Sequence, residues 1–404
     1  MTAPSQLGSQ ELATRFESFV IPNYIRYPVS LVRGEGSWVW DAEGRRYLDL
    51  FPGWGCNLLG HCPPRVVEAV RRQVGELIHV PNTWLIESQA RWAELLSERS
   101  FGGQAFFCNS GTEANEAAIK LARLYGAPHR HKIITFQGGF HGRTLGSLTA
   151  TAQPKYHSGL GPLIAGFTYV PFGDLEAVAQ AIDEETCAVL IEPIQGEGGV
   201  RLPPEGFLAG LRELCDRHEL LLMFDEVQTG CGRLGQWFGY QRFGVEPDVM
   251  TLAKSLCGGL AGGAMLARAD IAAALKPGTH ASTFGGNPIA AAAGIAVIET
   301  IEQEQLLPRV SELARQFESD LREQLQDCSW VEEIRVAGLM IGIELAVDAA
   351  PVVQRCLERG VLINCTQGDV VRLLPAMTLS DDQREQGAQV VIEEIMNLNP
   401  VPDV

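Results

Sequence analysis

The sequence predicts an α/β fold: a doubly wound, mostly parallel sheet of about seven strands, joined to a smaller α+β unit made by both chain ends. Three observations predict it. Several short runs are apolar at every position, such as Ala188-Val-Leu-Ile and Leu220-Leu-Leu-Met-Phe, as strands buried on both faces require. Stretches with apolar residues at helical spacing alternate with them through the middle of the chain. The two ends lack that alternation and mix short strand-like pieces with long amphipathic ones.

Candidate strands of the central unit are Ala105–Cys108, Lys132–Phe136, Phe167–Pro171, Cys187–Glu192, Leu220–Asp225, Asp248–Leu252 and Gly263–Ala267. Thr112–Tyr125 carries helical spacing between the first two. Glu205–His218 follows Pro203-Pro204, a helix entry, and Ile289–Glu302 follows an Asn287 cap with Pro288 at the first helical position. The ends contribute Ser30–Val32, Ser37–Trp40 and a turn at Glu43-Gly44, then the amphipathic stretch Leu306–Gln326. Ile334–Val336, Met340–Leu345, Val370–Leu374 and a final helix Ser380–Asn397 complete the chain. We expect a large domain over residues 60–300 and a discontinuous small one from 1–59 plus 301–404.

With 404 residues, 46% of them hydrophobic and 20% charged, the chain can bury a large core without staples. Its net charge of −17 opposes nucleic-acid binding and docking on an anionic membrane, though not a small anionic ligand held by local charge. Ten cysteines without a C-x-x-C pair read as reduced thiols in a cytoplasm. The first residues lack a basic and then apolar leader pattern, and Glu11 and Glu17 oppose a transit peptide. The charge-free stretch Ala281–Ile298 holds Gly285, Gly286, Asn287 and Pro288, leaving its apolar part short of the ~20 residues that span a bilayer.

Several segments carry chemistry. Lys254 ends the apolar approach Val249-Met-Thr-Leu-Ala and precedes Ser255-Leu-Cys-Gly-Gly. A lysine amine stripped of water at a strand end is a nucleophile toward aldehydes; otherwise it is a lysine snorkelling to solvent. Asp225 closes the most apolar strand and would point into the crevice where α/β ligands bind, where it can hold a proton on a pyridine nitrogen, or it caps the next helix. Ser110-Gly111-Thr112 opens a helix after a strand, which suits an anion at the positive helix end, a capping box of Ser110 with Glu113, or both. Phe140 and Arg143 follow Gly138-Gly139, offering a stacking ring and a carboxylate fork, unless they are a packed loop Phe and a solvated Arg. Glu197 sits among glycines, as a movable acid or an exposed turn residue. Ser282-Thr283 precedes another helix start, again suited to phosphate. Arg372 stands inside an apolar strand and needs a carboxylate partner from protein or substrate. No G-x-S-x-G, H-E-x-x-H or P-loop pattern occurs, and the eight histidines show no metal-ligand spacing; His129 and His131 read as solvated loop residues.

Taken together, Asn109-Ser-Gly-Thr-Glu-Ala-Asn-Glu, Phe140-His-Gly-Arg-Thr-Leu-Gly, Glu192-Pro-Ile-Gln-Gly-Glu-Gly-Gly, Asp225-Glu-Val-Gln-Thr-Gly, Leu252-Ala-Lys and Ser282-Thr-Phe-Gly-Gly-Asn-Pro resemble the class III aminotransferases, within fold-type I of the pyridoxal-phosphate enzymes. The order agrees, and the resemblance runs from about residue 20 to residue 395. Pro22-Asn-Tyr24 and Val371-Arg-Leu-Leu-Pro resemble most the members that act on N2-acetylornithine.

The resemblance implies pyridoxal 5'-phosphate joined covalently to Lys254, which also shuttles the reacting proton. It puts Asp225 on the pyridine nitrogen, Gln228 on the phenolic oxygen, Val227 beneath the ring and Phe140 above it. Gly111 and Thr112 would bind the phosphate, with Thr283 joining from a second subunit of a homodimer. Arg143, with Ser282 nearby and Tyr24, would bind the donor's α-carboxylate. Arg372 would bind the α-carboxylate of 2-oxoglutarate, covered by Glu197 while the donor is bound. The activity implied is transfer of the δ-amino group of N2-acetylornithine to 2-oxoglutarate, in arginine biosynthesis. Ornithine, succinylornithine and 4-aminobutyrate are rival donors, and an aminomutase or decarboxylase on the same fold is a rival class. The sequence departs from the family pattern at Trp54, Cys56, Pro63, Ala261 and Ala281, which bear on the donor rather than on the cofactor contacts.

Overall fold

The computed structural model describes residues 7–398, so the first six residues, where the leader was sought, lie outside it. Its strands fall into three sheets. After a helix over Ser9–Phe19, the first strands are β1 (Leu31–Glu35), β2 (Trp38–Asp41) and β3 (Arg46–Asp49). The middle supplies β4 (Gln104–Cys108), β5 (Lys132–Phe136), β6 (Phe167–Val170), β7 (Thr186–Ile191), β8 (Leu221–Asp225), β9 (Val249–Leu252) and β10 (Gly263–Ala267). The last part adds β11 (Val331–Ala337), β12 (Met340–Leu345), β13 (Val361–Leu362), β14 (Asn364–Thr366) and β15 (Val370–Leu373).

The central sheet has seven strands in the order β4-β10-β9-β8-β7-β5-β6. Pairs β5–β6, β5–β7, β7–β8 and β8–β9 are parallel, and only β10 runs against its two neighbours. Because β10 is antiparallel to both β4 and β9, β4 points the same way as the rest. The carboxyl ends of β4, β5, β7, β8 and β9 therefore line one edge, where ligands of open α/β sheets bind. Every residue of β7, β8, β9 and β10 is buried, which explains the uniformly apolar runs.

Helices cover this sheet. Gly111–Gly126 follows β4, and Phe207–His218 starts two residues later than Glu205, because Gly206 takes a left-handed turn (φ 77°) before it. Pro288–Gln303 is largely apolar and buries eleven residues, so the part of the charge-free stretch from Pro288 on is a core helix and the part before it is loop. Asn287 caps it, accepting from Ala290 N at 3.0 Å.

The two chain ends meet in a sheet of order β1-β2-β3-β13, where Val361 pairs with Leu48 in parallel. The third sheet has the order β11-β12-β15-β14, which leaves β14 on its edge. Arg233 fastens these parts to the central sheet. It is fully buried and donates to the carbonyls of Gly55 (3.0 Å) and Pro375 (2.6 Å), with no carboxylate partner among the described residues. Burial pushes its guanidinium down to about 9.

Candidate active site

The loops after those five strand ends enclose a cavity of about 430 Å³. Lys254, Asp225, Val227, Gln228, Gly111, Thr112, Phe140, Arg143 and Glu197 all line it. Lys254 follows β9 after one residue and takes a positive φ of 43° at the start of a short 3-10 turn. That conformation is costly for a non-glycine residue and tends to mark function. Of the chain's five lysines (120, 132, 155, 254 and 276), Lys254 alone lines this cavity.

Asp225, 3% exposed, closes β8. Its Oδ2 accepts from Asn115 Nδ2 at 2.8 Å and faces His141 Nδ1 at 2.8 Å, and its Oδ1 accepts from Val227 N at 3.0 Å. Asn115 comes from the helix Gly111–Gly126 and is held in turn by Thr251 Oγ1 (2.8 Å) on β9. Helix, loop and two strands thus aim one carboxylate. Asp225 does not act as a side-chain helix cap.

At the opening of that same helix, Ser110 accepts from Glu113 N, but Glu113 turns its carboxylate to Asn109 N and Nδ2 (2.8 Å each). Only half of the expected capping box forms. The first-turn amides of Gly111 and Thr112 have no intrahelical acceptor, as at every helix start. They border the cavity, where a phosphate would meet the positive helix end. A Cβ on Gly111 would come within 2.9 Å of Val227, so only glycine allows this approach.

Glu192 is buried after β7 and ties two loops together. One oxygen accepts from Phe140 N and the other from Gly196 N, each at 2.8 Å. Burial pushes its carboxyl up, helped by the Asp225 charge and opposed by His141 and the two amides. Beyond Gly196, Glu197 Oε1 meets Arg372 Nη1 at 2.8 Å. Burial would raise the Glu197 carboxyl, but the Arg372 and Lys254 charges outweigh it and hold it below its ordinary value.

The Arg143 guanidinium carbon lies over Tyr156, 3.8 Å from the ring centroid, and 5.5 Å from that of Phe140. Ser282 and Thr283 do not enter the main cavity of their own chain; they line a neighbouring hollow with Phe284 and Lys120. Tyr24 is exposed and faces the ring of Trp54, whose φ is also positive (57°), while Cys56 does line the cavity. His131 sits on the surface 3.9 Å from Glu185.

Pyridoxal phosphate fits these residues. Gln228 Oε1 is buried without a hydrogen-bond partner among the described residues, an orphan polar atom that a ligand would satisfy. A Cβ on Gly196 would strike that amide at 2.2 Å, so the wall beside it is shaped to glycine. The strand-end lysine, the buried aspartate and the open helix terminus together define a pyridoxal-phosphate enzyme of fold-type I.

Comparison with known proteins narrows the class. The sequence pattern of the family "Aminotransferase class-III" matches residues 20–395. The chain is 47% identical over 385 residues to an acetylornithine aminotransferase of Caldanaerobacter subterraneus, covering 94% of this chain and 98% of that one. It is 49% identical over 384 residues to an acetylornithine aminotransferase of Methanopyrus kandleri, with coverages of 94% and 97%. Among solved structures, the ornithine aminotransferase of Toxoplasma gondii superposes with a TM-score of 0.93 at 32% identity, covering 96% of this chain and 95% of that one. The chain belongs to the class-III aminotransferase family and is a pyridoxal-phosphate-dependent transaminase.

Proposed function

We propose that the enzyme transfers the δ-amino group of N2-acetylornithine to 2-oxoglutarate, giving N-acetylglutamate semialdehyde and glutamate in arginine biosynthesis. The named relatives support the donor. The carrying observation is the contact of Glu197 with Arg372 at 2.8 Å, in reach of the cavity that also holds Lys254 and Arg143. Two cations can then serve two carboxylates, and one of them can be switched off.

Bound here, pyridoxal phosphate supplies a protonated ring that takes up the electron pair left when a C–H bond beside the amine breaks. Asp225 would hold the proton on the ring nitrogen, Gln228 would bond the phenolic oxygen, Phe140 and Val227 would pack against the ring, and Gly111 and Thr112 would bind the phosphate. Lys254 Nζ, the lysine amine in the cavity, would hold the cofactor aldehyde in the resting enzyme and, once displaced by the donor amine, would move the proton between the donor's δ-carbon and the cofactor and, in the other half-reaction, to the acceptor. Arg143, which lines the cavity, would orient the donor through its α-carboxylate; Ser282, outside the cavity of its own chain, would contribute only from the second subunit, and Tyr24 would have to close over the site from its exposed position. The donor's δ-carbon bears no carboxylate, so a bare Arg372 beside it would be an unpaired buried charge. Glu197 neutralises Arg372 in that half-reaction and yields it to the α-carboxylate of 2-oxoglutarate in the other.

The working unit is a homodimer. Thr283 lies outside the cavity of its own chain, which supports a phosphate contact from the second subunit, and Trp84, Leu85 and Phe284 are exposed apolar residues that a partner would cover. The chain divides into a large unit, 60–300, and a small one, 1–59 plus 301–404, a division supported by the pairing of β3 with β13. Ten free cysteines support a cytoplasmic site, and no helix among the described residues is long and apolar enough to cross a membrane.

Stopped-flow loss of the visible cofactor absorbance with N2-acetylornithine, ornithine, N2-succinylornithine and 4-aminobutyrate tests the donor. N2-acetylornithine should react with the highest rate over KM. A faster reaction with any of the other three overturns the assignment.

A further inference from the structure

The gate formed by Glu197 and Arg372 is held from one short edge strand. β14 pairs with β15 so that Asn364 lies opposite Arg372 and Thr366 opposite Val370. Alternate residues of a strand share a face, so Asn364 and Thr366 point to the same side and Cys365 to the other. Asn364 Oδ1 accepts from both Nε (3.1 Å) and Nη2 (2.8 Å) of Arg372. Thr366 Oγ1 donates to the carbonyl of Glu197 at 2.7 Å, and Gln367 Nε2 donates to the same oxygen.

The residue before the gate is fixed as well. Gly196 N donates to Glu192 at 2.8 Å, and Gly196 O accepts from Arg372 Nη1 at 3.0 Å. The backbone of Gly196–Glu197 is thus anchored on both sides of the peptide, while the Glu197 side chain remains 26% exposed. A carboxylate on a pinned backbone leaves by rotating its own side chain, not by moving its loop.

We infer that Asn364 and Thr366 are positioning residues that set how Arg372 is shared between Glu197 and a substrate carboxylate, and with it the balance of the two half-reactions. Asn364 fills the Nε–Nη2 edge of the guanidinium. An incoming carboxylate therefore meets Nη1 and the second hydrogen of Nη2, the side that Glu197 guards. Thr366 returns the Glu197 carboxylate to the same place after each turnover. The inference rests on the gate reading above and extends it to the residues that tune the gate.

The test uses the holoenzyme in single turnovers, with N2-acetylornithine for the donor half and 2-oxoglutarate on the pre-aminated enzyme for the other. Asn364→Asp places a permanent carboxylate against Arg372 at constant size. It should raise the acceptor KM by about 10-fold or more and leave the donor KM within about 2-fold. Thr366→Val removes one anchor at constant volume and should raise the acceptor KM about 3-fold, and Thr366→Ser should restore it, which separates positioning from a folding defect. Glu197→Ala is the reference. If it separates the half-reactions while Asn364→Asp and Thr366→Val change both equally or neither, this inference falls and the gate stands. If Glu197→Ala fails to separate them, the gate falls and this inference with it.

Discussion

Two carboxylates of the cavity are held in opposite ways. Asp225 is 3% exposed and surrounded by neutral or ring donors from a helix, a loop and its own turn. Nothing in that setting competes for it, and it has nowhere to go. Glu197 is partly exposed, pinned through its backbone, and paired with a single cation that a substrate can claim. A fixed charge suits a group that must hold one proton throughout the cycle. A charge with a rival for its partner suits a group that acts in only one half of it. Fixing and releasing are both hydrogen-bond arrangements here; they differ in whether the carboxylate or the peptide beneath it is the part held.

The contrast can be broken from the fixed end first. Lys254→Ala should lower kcat by about 10⁴-fold or more, with both half-reactions lost alike, since one amine serves both. Activity within tenfold of wild type would remove the lysine from the mechanism. Asp225→Asn keeps size but removes charge and should cost about 10²–10³-fold in kcat for both halves, measured in single turnovers. Asn115→Leu withdraws one donor from Asp225 Oδ2 and breaks the link to Thr251, and should cost about 10-fold, again symmetrically. At the movable end the symmetry should fail. Glu197→Ala should slow the donor half-reaction about 10-fold and leave the 2-oxoglutarate half within about 2-fold, because an uncovered Arg372 disfavours only the donor.

The last prediction concerns stability rather than rate. Glu226, next to Asp225, is buried and bonded to Thr229 and to the amides of Gly239 and Tyr240 (2.7 Å each). Burial pushes its carboxyl up to about 7 from an ordinary 4.5, against the pull of those bonds. The folded chain therefore keeps a proton that the unfolded chain gives up between those values. This contribution is full below about pH 4.5 and is lost as pH rises to about 7. Glu226→Gln should flatten that part of the Tm–pH curve, and an unchanged slope would show that Glu226 ionises as it would in water.

The sequence made the fixed end more legible than the movable one. β5 and β10 have the bounds read from their apolar runs, and the other five central strands shift by a residue. Burial on both faces leaves a signal at every position there. Asp225, Lys254 and Gly111 were visible as polar or small residues placed where such runs stop. Asn115, His141 and Glu192 stand inside the same motifs, yet their task was not. Each acts on a residue far away in sequence, Asn115 on Asp225 across 110 positions, and no local pattern records such a bond. β13 and β14 are two and three residues long, too short for any period to show. With β14 unseen, Arg372 could be read as a buried cation in need of a carboxylate, but Asn364, which orients it, could not.

All of this depends on a bond between one amine and the cofactor aldehyde. Reduction of the resting holoenzyme with borohydride, followed by digestion and mass spectrometry of the peptides, reads that bond directly. The account predicts the added pyridoxyl mass on the peptide that carries Lys254 and on none carrying Lys120, Lys132, Lys155 or Lys276. The label on one of those four instead, or no label on a protein that turns over, would contradict it.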